Sequence, residues 1–90
     1  MAAFLTKNDI GRLKKWGYLD RDMPQIERAA SVKITTYELG SERISRAKAL
    51  KILGRETWLS GLARSAFHWS AARNAADGKT VFFDSTRLFA

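Results

Sequence analysis

Residues 56–76, ETWLSGLARSAFHWSAARNAA, decide how the chain is read. At 100° per residue Trp58, Leu59, Leu62, Ala66, Trp69 and Ser70 fall within one arc, with Phe67 at its margin. The spacing predicts a long half-buried helix from Glu56 to about Ala76, weakened by roughly 1 kcal/mol at Gly61 relative to alanine and closed by Asp77-Gly78. Upstream, Ser45 suits the N-cap of a helix over Arg46 to Leu53, with Ala47, Leu50 and Leu53 at helical spacing and Gly54 as the stop. Downstream, Thr80-Val81-Phe82-Phe83 is strand-like with Phe82 and Phe83 on opposite faces, and Asp84 or Ser85 can cap a final turn carrying Leu88 and Phe89.

In the amino-terminal half, Thr6 or Asn8 can start a helix that aligns Ile10, Leu13 and Trp16 and ends at Gly17. Asp22 followed by Met23-Pro24 suits a cap and first turn of a short helix through Ala30, packing Ile26, Ala29 and Ala30 inward. Val32 to Leu39 is rich in β-branched and aromatic residues and reads as a strand, turning at Gly40-Ser41 into a short return strand through Ile44. The order of elements predicts an α+β fold, helices with a small antiparallel or mixed sheet, forming one domain over residues 1–90. Its expected core is Trp16, Leu50, Trp58, Leu62, Trp69, Val81 and Phe83.

Sixteen Lys plus Arg against nine Asp plus Glu give a net charge of +7, which favours polyanionic partners through Coulomb attraction and counterion release. The excess is clustered: residues 41–74 hold seven cations (Arg43, Arg46, Lys48, Lys51, Arg55, Arg64, Arg73) against Glu42 and Glu56, for +5. With no cysteine and one histidine, disulfide scaffolds and the common zinc sites are excluded. The absence of cysteine suits a cytoplasmic protein, and no stretch approaches the ~20 apolar residues of a membrane span.

Catalytic apparatus is not expected. Ser65 and His68 are three apart on the predicted helix, but no carboxylate at suitable spacing orients the ring. Asp20 and Asp22 are the one close carboxylate pair, and capping accounts for Asp22. The six glycines stand singly, so no phosphate-cradling loop is present. The sequence therefore predicts a protein that is not an enzyme and holds no metal or cofactor.

Opposite the aromatic stripe, Ser60, Gly61, Arg64, Ser65, His68 and Ala72 would form a low face able to approach another backbone, as in a helix laid into a DNA major groove. The bland alternative packs those small residues against the first helix or the sheet. From Ile44 onward the chain resembles the excisionase and MerR-like winged helix-turn-helix proteins of phages and plasmids. The resemblance is carried by Ile44-Ser45 before a helix with Ala49 and Leu53-Gly54, then by Ser65 and Trp69, and by Gly78, Val81, Phe83-Asp84 and Leu88 in the place of the wing and closing helix. It implies a winged-helix-like carboxy-terminal half and a DNA-binding accessory or regulatory protein of a mobile element. Arg64, Ser65 and His68 would then read bases, and Arg46, Lys48 and Lys51 would contact phosphates, with Arg55 in the same basic set. DNA is favoured over RNA. A competing reading is a phage or plasmid inhibitor that binds a host nucleic-acid enzyme such as a CRISPR effector, and a third is a structural subunit whose homodimer buries Phe82, Phe89 and part of the aromatic stripe.

Overall fold

The computed structural model describes residues 4–68, 70–75 and 78–89. α1 (Lys7–Lys15) begins with a capping box, in which Thr6 Oγ1 accepts from Asp9 N at 3.2 Å and Asp9 Oδ2 accepts from Thr6 N at 3.0 Å. It ends in a Schellman motif: Gly17, at φ +100°, donates to Lys14 O and Tyr18 donates to Leu13 O. A 3₁₀ turn over Asp20–Asp22 leads into α2 (Met23–Ala29). Asp22 Oδ2 accepts from Leu19 N at 2.8 Å, so it closes the 3₁₀ turn and does not cap α2.

The expected strand from Val32 is shorter: Ile34 N and Thr35 N both bond back to Ser31 O, holding 31–35 in turns, and β1 runs only over Thr36–Leu39. The Gly40-Ser41 turn then returns the chain as β2 (Glu42–Ile44). α3 (Arg46–Leu53) is capped by Ser45, whose Oγ accepts from Lys48 N at 3.1 Å, and Gly54 at φ +83° separates it from α4 (Arg55–Ser65).

The predicted long helix breaks at Ser65. Residues 70–74 instead form β3 (Ser70–Asn74), paired antiparallel with β4 (Thr80–Asp84) along its whole length. The four strands make one antiparallel sheet in the order β2-β1-β4-β3, so the α+β expectation holds with the antiparallel alternative. A 3₁₀ turn over Thr86–Phe89 follows, with Asp84 Oδ1 accepting from Thr86 N at 3.0 Å. No helix among the described residues is long and apolar enough to cross a membrane.

Alternation divides the sheet into two faces. Ile44, Tyr37, Phe83 and Ala71 share one row facing the helices, whereas Arg43, Glu38, Phe82 and Ala72 share a row on the open face. α4 lies on the covered face between the sheet and the other three helices. Trp58, Leu59, Gly61, Leu62, Ala63 and Ser65 are all buried, an arc of about 200° at 100° per residue, as expected of a central helix. Trp58 Nε1 donates to Tyr37 Oη at 3.0 Å, and the Tyr37 ring meets Phe83 edge to face with centroids 5.1 Å apart. Leu50 packs half-buried against this core, and Leu62 and Val81 lie within it. Trp16 does not: it caps α1 at the surface, 39% exposed, while Tyr18 folds back toward the core. Trp69, also expected in the core, lies outside the described residues, as does Asp77 of the expected stop.

Asp9 also ties α1 to α4. Its buried carboxylate accepts from Nε and Nη2 of Arg55, which is 40% exposed. Burial alone would raise the pKa of Asp9, but the Arg55 hydrogen bond, the Thr6 N–H, the Arg55 charge and the Thr6 hydroxyl together hold it below the ordinary carboxylate value. A lowered folded-state pKa contributes stability that is present above the unfolded value, about 3.9, and is lost as pH falls through the folded one. Asp9→Asn is therefore expected to cost about 1–3 kcal/mol at neutral pH, discounted for the exposure of Arg55. In urea titrations the gap between wild type and variant should close as pH falls below about 4; a gap independent of pH would contradict the ion pair.

Candidate polyanion-binding surface

On α3, Ala47, Lys48 and Lys51 are exposed, opposite buried Ala49 and Leu53. At 100° per residue the three fall within about one third of the helix circumference. α3 contains no acidic residue, and among the described residues neither lysine makes an ion pair. Arg46 lies on the same helix but on the arc of the buried residues. It is half-buried, with Nη1 donating to Ala30 O at 2.8 Å and its guanidinium 5.4 Å from the Phe4 ring centroid. The structure thus keeps Lys48 and Lys51 together as a free basic face and turns Arg46 inward.

The other expected contacts separate from this face. Arg55 is engaged with Asp9, donates to Phe4 O at 3.4 Å, and lies 4.7 Å over the Trp58 ring. Its expected nucleic-acid role gives way to that of a clamp between the starts of α1 and α4. Ser65, expected to read bases, is fully buried: Oγ donates to Leu62 O at 2.9 Å and accepts from Ser85 Oγ at 3.0 Å, while Ser85 and Thr35 share a 2.6 Å hydroxyl contact. This chain of hydroxyls ties α4 to the start of β1 and to the final turn. Gly61 is also buried, and Ala72 lies on the open face of the sheet. The low helical face is not formed, because Gly61 packs against Phe83 and Arg73 of the sheet and Ser65 is buried in the hydroxyl chain. α4 cannot enter a groove.

Arg64 and His68 remain exposed, but His68 stands in the turn after α4 and not on the helix. Arg64 is in the last turn of α4, nine residues from Arg55 and so about 13 Å along the axis. Its charged neighbour is Arg73 on β3. Burial pushes the pKa of Arg73 down, and the charge of Arg64 pushes it further. Two neighbouring cations repel one another, which favours an anion near them. Beside this pair, Tyr18 stacks on Phe67 with centroids 6.3 Å apart.

Sequence reasoning missed Arg43 and Arg87. Together with Arg46 they line a cavity of about 300 Å³ at the junction of β2 and α3. Arg43 and Arg46 flank Ile44-Ser45, so a strand-to-helix junction there could have flagged that pair. Arg87 is brought in from the far end of the chain by the final turn, and nothing local announces it. Comparison of the chain with protein-family models, with curated proteins and with solved structures returns no match.

Proposed function

We propose that this chain binds nucleic acid, DNA before RNA, as an accessory or regulatory protein, with Lys48 and Lys51 on backbone phosphates. The carrying observation is the outward face of α3: two exposed lysines, with the small Ala47 at their edge, on a helix free of carboxylates. Neutralising phosphates releases condensed counterions, so such a face gains affinity in proportion to the number of contacts. The Arg64 and Arg73 pair supports the same reading at a second place. Two helices followed by a β-hairpin is the element order that the resemblance to winged helix-turn-helix proteins of mobile elements implies, but the second helix, to which the resemblance assigns base reading, is the buried α4, so the reading rests on the lysines of α3. Phosphate contacts position a protein without reading sequence, so this face carries affinity more than specificity.

The test is binding of the full chain to a random DNA duplex and to RNA across a salt series. Wild type should lose affinity linearly in log salt. Lys48→Ala and Lys51→Ala should each lower the slope by roughly 1 and weaken all sequences alike. Both side chains are exposed, so unchanged thermal unfolding serves as the control. If wild type binds neither nucleic acid below about 10⁻⁴ M at low salt, weaker than ordinary non-specific binding, the reading fails. A nucleic-acid-handling protein then becomes the partner to seek.

A further inference from the structure

Val32 to Thr36, the junction of β2 with α3 and the final 3₁₀ turn surround the cavity of about 300 Å³. Three of its lining residues are arginines from three different elements: Arg43 from β2, Arg46 from α3 and Arg87 from the final turn. Among the described residues, no carboxylate lines it. Among the described residues, none of the three arginines forms an ion pair. The nearest acids in register are otherwise disposed: Glu38 stands opposite Arg43 on the sheet without forming an ion pair with it, and Asp84, opposite Thr36, accepts from Thr86 N. β2 is an edge strand, with Arg43 on its open-face side, Arg46 at the start of α3 and Arg87 in the final turn, so the cavity is bordered by cations from different sides. Like charges bordering one cavity favour a bound anion.

The arginines are also held in place. Arg46 is tethered to Ala30 O at 2.8 Å and Arg87 to Lys33 O at 3.3 Å, each through one nitrogen of a group that has five donors. Burial pushes the Tyr37 phenol up more than its Trp58 bond and the Arg46 charge push it down, so it stays neutral and cancels none of the positive charge. Ser45, on the cavity wall, already caps Lys48 N. The first two N–H groups of α3 have no intrahelical partner, and the positive end of the helix dipole adds to the field there. Val32, at 56% exposed, is an apolar side chain on the cavity wall that the core does not use.

We propose that this cavity binds a phosphomonoester. A terminal phosphate dianion offers more charge and more acceptors to arginines bordering one cavity than a carboxylate does, and the volume exceeds the needs of an inorganic ion, leaving room for part of the attached group against Val32 and Ile44. A mid-strand phosphodiester carries one charge and sugars on both sides, so a terminal phosphate fits a cavity better. Two sources share this chemistry: a free mononucleotide and the 5′ end of a nucleic-acid strand. The site is distinct from the outward lysines of α3 and does not rest on duplex binding.

Calorimetric titration of the full chain with AMP, adenosine and paired oligonucleotides bearing a 5′-phosphate or a 5′-hydroxyl tests it. AMP should bind where adenosine does not. Arg43→Ala, which removes a side chain without a hydrogen bond among the described residues, should weaken AMP about tenfold, as should Arg87→Gln. Lys48→Ala should leave AMP binding unchanged, which separates this site from the duplex-binding face. A roughly tenfold preference for the 5′-phosphorylated strand assigns the site to a nucleic-acid end, and AMP binding without that preference assigns it to a free nucleotide. The proposal is overturned if neither AMP nor inorganic phosphate binds below about 1 mM, or if both arginine variants bind AMP as wild type does.

Discussion

Trp58→Ala is expected to remove about 3–5 kcal/mol of stability, a large part of the 5–15 kcal/mol typical of a folded domain. The indole is buried in the first turn of α4, bonded to Tyr37 of the sheet. Truncating it leaves a cavity that close-packed neighbours fill only in part, and it strips Tyr37 Oη of the Nε1 donor at 3.0 Å. The stacked Arg55 guanidinium loses its platform as well, so the clamp to Asp9 loosens with it. Far-UV circular dichroism through a urea titration measures the loss. Trp58→Phe, which keeps most of the volume and drops the hydrogen bond, should cost only about 1–2 kcal/mol. If alanine costs no more than phenylalanine does, the ring is not the keystone that its burial indicates.

Trp58 was legible because it obeys helical periodicity within a segment that is a helix. The same arithmetic failed ten residues later. Ser70-Ala71-Ala72-Arg73-Asn74 has good helix formers and few β-formers, so propensity alone extends α4 through it. The sheet overrides that preference: pairing with β4 gives the segment a full antiparallel ladder, places Ala71 beside Phe83, and leaves Phe82 on the open face. Gln25, 41 residues away in sequence, donates to Ala66 O at the end of α4. Gln25 is invisible to any local window, and helical periodicity does not register the β4 partners even though the nearest pair is Asn74 with Thr80. Elements punctuated locally, by Thr6 with Asp9, by Ser45 and by the glycines at 17 and 54, were read correctly because their caps are neighbours in sequence.

The candidate site divides along the same line. That Arg46, Lys48 and Lys51 share one helix is legible, since its cap and stop are both local, but that Arg46 turns inward to Ala30 O is not. Segment charge and helical spacing do not reveal that Arg55 pairs with Asp9 or that Ser65 is buried against Ser85, because these partners lie 46 and 20 residues away. Charge counted along a segment does not distinguish a free guanidinium from one bound to a buried carboxylate. The three arginines of the cavity come from positions 43, 46 and 87, so only the closure of the sheet and the final turn unites them.

Gly61 gives the opposite sign in sequence and structure, which makes it the sharper test. Helix propensity predicts that Gly61→Ala stabilises by about 1 kcal/mol. In the fold, a Cβ there would lie 2.7 Å from Phe83 Cζ, 2.9 Å from Phe83 Cε1 and 2.8 Å from Arg73 Cγ. The Arg73 stem can swing away at the sheet edge. The Phe83 ring cannot do so readily, because it is buried and braced edge to face by Tyr37. Overpacking of this kind costs about 1–3 kcal/mol and occasionally more, so alanine is expected to be neutral to destabilising, and Gly61→Leu to lose about 3 kcal/mol or more. Phe83→Leu in the Gly61→Ala background should recover part of the loss, with a coupling of about 0.5–3 kcal/mol between the two positions in a double-mutant cycle. Additive effects, or stabilisation by alanine alone, would mean that α4 stands further from β4 than the close approach of Gly61 to Phe83 requires.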